Sequence, residues 1–228
     1  MAVCPKPLET DRMNILTPLQ EKTLQVFFAV KEFKQHFYLT GGTALAGFYL
    51  KHRLSDDLDF FSHSIEIPEI DRLFEDTIKA AGFALEKERS SPTYRRYRID
   101  GELQIDLVRD IDFRVGAPEL IGDFMVDTLK NIAVNKVTAM YNRLEPKDYV
   151  DLYFLKPRLN FDIMELIETG KMKDGGLDAF QWARIIADVD VFNVLPRMVL
   201  PLELSELKKF YHQMRDEILD SLRPKTSP

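Results

Sequence analysis

The amino-acid sequence predicts an α+β fold: a small mixed sheet flanked by helices, followed by a helical C-terminal half. Three observations predict it. Short strand-like runs rich in aromatic and branched apolar residues concentrate in residues 37–108. From about residue 127 onward the apolar residues keep helical spacing. Pro146, Pro157, Gly175-Gly176, Pro196 and Pro201 then divide that second half into helix-length pieces. Strands gathered early and helices gathered late are the pattern of layered α+β chains.

Each element has its own signal. Residues 1–17 contain Pro and no periodicity, and read as an N-terminal arm. From Pro18 to about His36, Leu19, Leu24, Phe27, Phe28, Val30 and Phe33 recur near every 3.6 residues, with Thr17-Pro18 as cap and first turn. Phe37-Tyr-Leu-Thr40 reads as a short strand ended by Gly41-Gly42, and Thr43 to about His52 as a helix. Asp57-Leu-Asp-Phe-Phe61 is short, aromatic-rich and bounded by polar residues, hence a strand. A helix over 68–81 stops at Gly82; strands follow near 83–90, 93–99 and 103–108. Helices are expected at 128–143, 146–156, 161–170, 176–187 and 203–222. The organisation is therefore an arm (1–17), a core (18–126) and a helical domain (127–228). No flexible linker marks the boundary near 125, so the last two should pack together.

Composition narrows the class. The 228 residues hold 31 basic and 37 acidic side chains, a net charge of −6, with 45% hydrophobic residues. That is ordinary globular composition. No run approaches the roughly 18 apolar residues of a membrane span, and the N-terminus lacks the apolar stretch of a secretory signal. Cys4 is the single cysteine, which excludes an intramolecular disulfide and a Cys-rich zinc site. A soluble cytoplasmic protein without membrane contact is expected, and any nucleic-acid contact needs a local basic patch.

The densest chemical signal is Arg53-Leu-Ser-Asp-Asp-Leu-Asp-Phe-Phe61. On a strand, Asp57 and Asp59 share one face while Leu58 and Phe60 take the other. Two carboxylates on one face repel unless a cation lies between them, and a hard divalent ion such as Mg²⁺ takes such oxygen ligands together with phosphates. In Gln104-Ile-Asp-Leu, Asp106 faces away from Ile105 and Leu107; on a neighbouring strand it would complete three carboxylates around a two-metal site. The plainer reading is a set of exposed acids on a sheet face. Gly41-Gly42-Thr43 adds weight to the first reading. Paired glycines admit a close ligand, N–H groups at a helix start favour anions, and the Thr43 hydroxyl can reach a phosphate oxygen.

Gly41-Gly42-Thr43-Ala44-Leu45 followed by Arg53-x-Ser55-x-Asp57-x-Asp59-Phe60-Phe61 closely resembles the AbiEii/AbiGii-type nucleotidyltransferases of the DNA-polymerase-β-like superfamily. Lys136-x(6)-Arg143-x(3)-Lys147-Asp148-x(2)-Asp151-Leu152 is similar to the second signature of that family. Thr43 stands where the wider superfamily usually has Ser. The resemblance covers residues 37–156 and implies an α/β-type nucleotidyltransferase core. It implies transfer of a nucleotidyl group from an NTP co-substrate with two Mg²⁺ ions, Mn²⁺ being the alternative. Asp57 and Asp59 would hold metal, and Asp106 would be the third ligand or the activator of the acceptor. Gly41, Gly42 and Thr43 would cradle phosphates. Lys136 would bind the triphosphate, and Asp148 or Asp151 would act as general base or orient the basic groups. Arg53, with Ser55 in the matched motif, would contact phosphate or brace the acidic cluster. Lys136 and Arg143 share a helix face, and Lys147 and Asp151 form an i, i+4 pair; without the resemblance these residues read as an exposed helix–helix corner. The resemblance further implies the toxin of a toxin–antitoxin or abortive-infection pair, with tRNA or other RNA as acceptor and a cognate antitoxin as partner.

Other features read more plainly. Thr93-Tyr-Arg-Arg-Tyr-Arg98 is either an RNA-facing strand or a solvated edge strand, with Tyr94, Arg96 and Arg98 on one face. His36, His52, His63 and His212 show no ligand spacing and read mostly as surface residues, and Trp182 reads as a packing anchor. Rival readings are a small-molecule nucleotidyltransferase of the antibiotic-modifying kind, a two-metal phosphohydrolase, and a degenerate nucleotide-binding module without chemistry.

Overall fold

A computed structural model describes residues 15–223, so residues 1–14 of the expected arm lie outside the described residues. Helix α1 (Pro18–Ala29) starts on a closed capping box: the Gln20 amide donates to the Thr17 hydroxyl, and the Thr17 N–H donates to the Gln20 side chain. The helix expected to continue to His36 breaks at Val30, whose backbone is extended, and resumes as α2 (Lys31–His36). The break folds Phe33 back onto Phe27, ring centroids 4.5 Å apart. A packing contact there outweighs the continuity that the spacing suggested.

The sheet has seven strands, two more than the sequence signals indicate. They are β1 (Phe37–Thr40), β2 (Asp57–Ser62), β3 (Leu85–Ser91), β4 (Tyr94–Ile99), β5 (Leu103–Arg109), β6 (Glu119–Ile121) and β7 (Phe124–Val126). Their spatial order is β3-β4-β5-β2-β1-β7-β6. β1 pairs parallel with β7 and β2 with β5, while the remaining pairs are antiparallel, giving a mixed sheet. The hairpin of β6 and β7 escapes detection because three residues are too few to show a period; Gly122, at φ 62°, makes its turn.

The back of the sheet is apolar. Leu58 and Phe60 of β2 and Ile105 and Leu107 of β5 are fully buried beneath α1 and α4 (Ile67–Ala80). Phe27 stacks on Phe60 at 3.9 Å, and Phe74 of α4 meets Tyr97 at 4.8 Å. Each such side chain contributes about 1.5–3 kcal/mol by leaving water. Arg95 and Tyr97 also point back, both donating to Asp71 of α4. β4 is therefore an inner strand. The charged, exposed edge is β3, whose Glu, Lys and Arg side chains discourage further pairing.

At the front, β1 turns at Gly41 into α3 (Gly41–Ala44), which runs on as a π-helical stretch, Leu45–Leu50. The rest is helical: α5 (Leu129–Asn142), α6 (Pro146–Leu159), α7 (Ile163–Gly170), α8 (Ala179–Ile186) and α9 (Leu204–Leu222). α6 continues through Pro157, whose missing N–H falls in the last turn, where one lost bond is tolerated. Trp182 is fully buried and its indole N–H donates to the Val137 carbonyl at 3.0 Å, a packing anchor as its spacing suggested. A segment before α9 reaches back to the core: Leu54 N–H donates to Arg197 O and Val199 N–H to His52 O, each at 2.8 Å. The helical half thereby holds the approach to β2. Among the described residues no helix is long and apolar enough to cross a membrane.

Candidate active site

Strand register assembles the front face. β1 sets Thr40 opposite Asp59, β5 sets Asp106 opposite Asp59 and Gln104 opposite Asp57, and β4 sets Arg96 opposite Asp106. A single row, Thr40–Asp59–Asp106–Arg96, thus crosses four strands. Asp57 and Asp59 are half-buried and Asp106 is buried. Burial, followed by the charges of Asp57 and Asp106, pushes the Asp59 carboxyl up to about 7, against the pull of Lys136 and Lys147. The fold thus disfavours the ionised form of Asp59.

Arg96 compensates one member of the row. Its Nε and Nη2 donate to the two oxygens of Asp106 at 2.9 and 2.8 Å, and Gln104 Nε2 adds a bond at 3.3 Å. Arg96 is therefore neither a bare edge residue nor free for RNA. Among the described residues, no three His, Cys, Asp or Glu side chains converge into a ready ligand set for a metal, since Asp106 is turned towards Arg96. Asp57 and Asp59 remain as a pair of oxygen donors. Their all-oxygen chemistry, side by side on one strand face, fits a hard divalent cation.

The glycines face these groups. Gly41 has φ 71°, and a Cβ there would collide with Asp59 Oδ2; a Cβ on Gly42 would collide with the Arg53 guanidinium and lie 3.0 Å from Ser55 Oγ. The turn must be bare so that carboxylate and guanidinium can close on the backbone. Gly41→Ala should accordingly cost at least about 1–2 kcal/mol for the left-handed backbone and displace Asp59. Urea unfolding, with Mg²⁺-dependent nucleotide stabilisation measured on the same variant, checks both; a variant as stable and responsive as wild type would refute the role. Thr43 takes a different place from the one expected. Its hydroxyl is fully buried and donates to the Asp57 carbonyl, so it secures the start of β2 and does not line the cavity. Ser55 Oγ lies 3.4 Å from Asp57 Oδ1, and its carbonyl accepts from Gln20 of α1.

Behind the row lies a buried ionic network that joins α5, α6 and the approach to β2. Lys136 Nζ sits 2.8 Å from Asp148 Oδ1 and 2.5 Å from Asp151 Oδ2. Arg53 donates from Nε and Nη2 to both oxygens of Asp151, at 2.6 and 2.8 Å, and His52 Nε2 lies 2.7 Å from the same carboxylate. Arg143 Nε donates to Asp148 Oδ2 at 2.8 Å. Asp148 and Asp151 are fully buried, which corrects the exposed-corner reading, and His52 is fully buried too, which corrects its reading as a surface residue. Despite desolvation, Lys136 and Arg53 hold the Asp151 carboxyl far below the usual range, and Lys136 and Arg143 lower that of Asp148. Arg53 is bonded to Asp151, while its guanidinium also lies against Gly42 at the wall of the carboxylate cavity. The expected Lys147–Asp151 pair is not formed: Asp151 points inward, whereas Lys147 faces the carboxylates.

Two adjoining cavities open over these groups. One, of about 340 Å³, contains Asp57, Asp59, Asp106, Arg96, Gln104 and Lys147 in its walls. The other, of about 450 Å³, runs under α5 past Phe61, Ile132, Asn135 and Ala139. Gly41, Asp59, Lys136 and Arg143 border both. Arg96 and Lys147 join Thr43 and His52 among the site groups placed differently from their sequence readings. For Arg96 a signal was available: counting outward from the Asp100-Gly101 turn pairs residue 96 with residue 106.

The chain is similar to known proteins over most of its length. The family model described as "Nucleotidyl transferase AbiEii toxin, Type IV TA system" matches residues 22–223. The chain is 30% identical over 154 residues to the uncharacterized protein aq_aa25 of Aquifex aeolicus (strain VF5), covering 62% of this chain and 68% of that protein. The crystal structure of JHP933 from Helicobacter pylori superposes with a TM-score of 0.58 at 21% identity over 90% of both chains. MenT4, a nucleotidyltransferase toxin from Mycobacterium tuberculosis H37Rv, gives a TM-score of 0.49 at 14% identity over 89% of this chain and 82% of its own.

Proposed function

Since the chain belongs to the AbiEii nucleotidyltransferase toxin family, we propose that this nucleotidyltransferase moves a nucleotidyl group from an NTP to a hydroxyl of an RNA, tRNA first among them, as the toxin of a toxin–antitoxin pair with a cognate antitoxin. The acceptor hydroxyl oxygen bonds to the α-phosphorus and gives its proton to the Asp106 carboxylate, the bond from that phosphorus to the bridging oxygen of the β-phosphate breaks, and pyrophosphate leaves. The observation that carries the reading is the row of Asp59 and Asp106 beside Asp57, closed by a bare Gly41-Gly42 turn. A divalent cation, Mg²⁺ or Mn²⁺, supplies charge neutralisation at the phosphates when bound. Asp57 and Asp59 hold it. Arg96 orients Asp106, the third carboxylate, towards the acceptor side. The Gly41-Gly42 backbone admits the phosphates, and Lys147, which enters no ion pair among the described residues, meets their charge. Lys136 contributes from below, where Asp148 and Asp151 position its ammonium. Catalysis of this kind consists mainly of positioning and electrostatics.

The test is a thermal-shift titration with each of the four NTPs, with and without Mg²⁺. A ligand at 100 times its dissociation constant stabilises by about 2.7 kcal/mol. The expected outcome is a Mg²⁺-dependent rise in melting temperature, followed by transfer of α-labelled NTP into acid-precipitable tRNA. Absence of any shift would refute the NTP site; label that stays acid-soluble would refute the RNA acceptor.

A further inference from the structure

The geometry points to the larger cavity under α5 as the nucleobase site, with Phe61 as its stacking platform and Asn135 as the residue that selects among NTPs. This inference rests on the nucleotidyltransferase reading above and adds the specificity determinant to it. Four observations carry it. The cavity, about 450 Å³, lies in the range of small-molecule sites, roughly 300–1,000 Å³. It shares Gly41 and Asp59 with the carboxylate cavity, so a nucleoside lodged here carries its phosphates directly to the Asp57–Asp59 pair.

The lining chemistry suits a base better than a phosphate. Phe61 is half-buried and follows Asp59 by two residues on β2, so its ring stands on the same face of the sheet as the carboxylate. Ile132 and Ala139 of α5 add apolar lining. The cations at this cavity, Lys136 and Arg143, are both engaged by Asp148. Asn135 stands apart from its polar neighbours. Asn142 spends its amide on the Thr138 carbonyl and Asp174, and Thr40 donates its hydroxyl to Asp127. The half-buried Asn135 amide enters no hydrogen bond among the described residues, yet it lines the cavity with both a donor and an acceptor to offer. An amide of this kind can pair with the edge of a base in two places at once.

The test measures dissociation constants of the four NTPs by calorimetry in the presence of Mg²⁺, for wild type, Asn135→Ala, Asn135→Asp and Phe61→Ala. Wild type should prefer one base by about tenfold or more. Asn135→Ala should bring the four constants to within about threefold of each other. Asn135→Asp, acceptor only, should move preference away from uracil and towards bases carrying an amino group. Phe61→Ala should weaken all four NTPs by about 10- to 100-fold; if it fails to fold, Phe61→Leu keeps apolar volume without the aromatic face and should weaken them in the same sense. A change in stability alone would alter all NTPs equally and leave their ratios untouched. Equal wild-type affinity for all four, or unchanged ratios in both Asn135 variants alongside Mg²⁺-dependent binding, overturns this inference and leaves the nucleotidyltransferase reading standing. No binding of any NTP to wild type overturns both.

Discussion

Replacing Asp57 and Asp59 together by Asn is expected to lower Mg²⁺-dependent nucleotidyl transfer by at least about 10³-fold while leaving the folded protein as stable as wild type or more so. The loss follows from removing the oxygen donors: charge stabilisation by a bound metal is worth several kcal/mol of barrier, and each 1.4 kcal/mol is a factor of ten. The retained stability follows from the same crowding that makes the pair useful. Burial, followed by the charges of Asp57 and Asp106, raises the Asp59 pKa to about 7, so in the metal-free protein the ionised carboxylate opposes folding. Neutral amides of equal shape relieve that repulsion. Melting temperatures without metal, compared with single-turnover rates with it, check both halves. Undiminished transfer would refute the metal assignment, and a sharp fall in stability would make Asp57 and Asp59 structural. Expression of wild type, but not of the double variant, should slow bacterial growth.

Asp151→Ala is expected to have the largest effect on stability, about 3–5 kcal/mol, because it leaves buried cationic groups without their counter-charge. Asp151 receives Arg53 through two bonds and lies against Lys136 and His52, all of them buried. Lys136→Ala should cost less, since Asp148 keeps Arg143 and Asp151 keeps Arg53. Urea unfolding of the two variants checks this order, and the reverse order would mean that Lys136 anchors the network. A pH dependence follows from the same groups. The Asp148 and Asp151 carboxyls are lowered in the folded protein, so the fold binds fewer protons than the unfolded chain below the ordinary Asp pKa of about 3.9. Their stabilisation is complete above about pH 4 and is lost as the pH falls below it. Asp151→Ala should therefore show a shallower decline in stability below pH 4 than wild type.

How much of this was legible beforehand depended on range along the chain. Asp57 and Asp59 could be assigned to one face from alternation alone, and α1, α4, α5 and α9 from apolar spacing and caps, because those signals lie within a few neighbouring residues. β6 and β7 could not, being three residues each and held in the sheet by β1, whose Leu39 pairs with Val126 far along the chain. Without the family resemblance, Lys136 reads as part of an exposed helix–helix corner. Its burial is created by α6 folding back against α5, which brings Asp148 and Asp151 onto one ammonium. The glycine pair looked like a phosphate cradle, and the collision of a Gly41 Cβ with Asp59 shows a second, packing reason for it that no local pattern contains.

By itself the sequence determined the class of fold, the run of helices after residue 127, and the alternation that sets Asp57 and Asp59 on one face of a strand. Periodicity, capping and residue type are local properties, set by backbone geometry that repeats every two or 3.6 residues. Only the tertiary structure decided that Arg96 holds Asp106, that Arg53 is bound to Asp151 from 98 residues away, and that Thr43 is bonded to the backbone of β2. Those outcomes depend on strand register and helix docking, in which a buried charge accepts whichever partner the folded chain brings within hydrogen-bonding distance, because leaving it unpaired costs more than the entropy of fixing the pair.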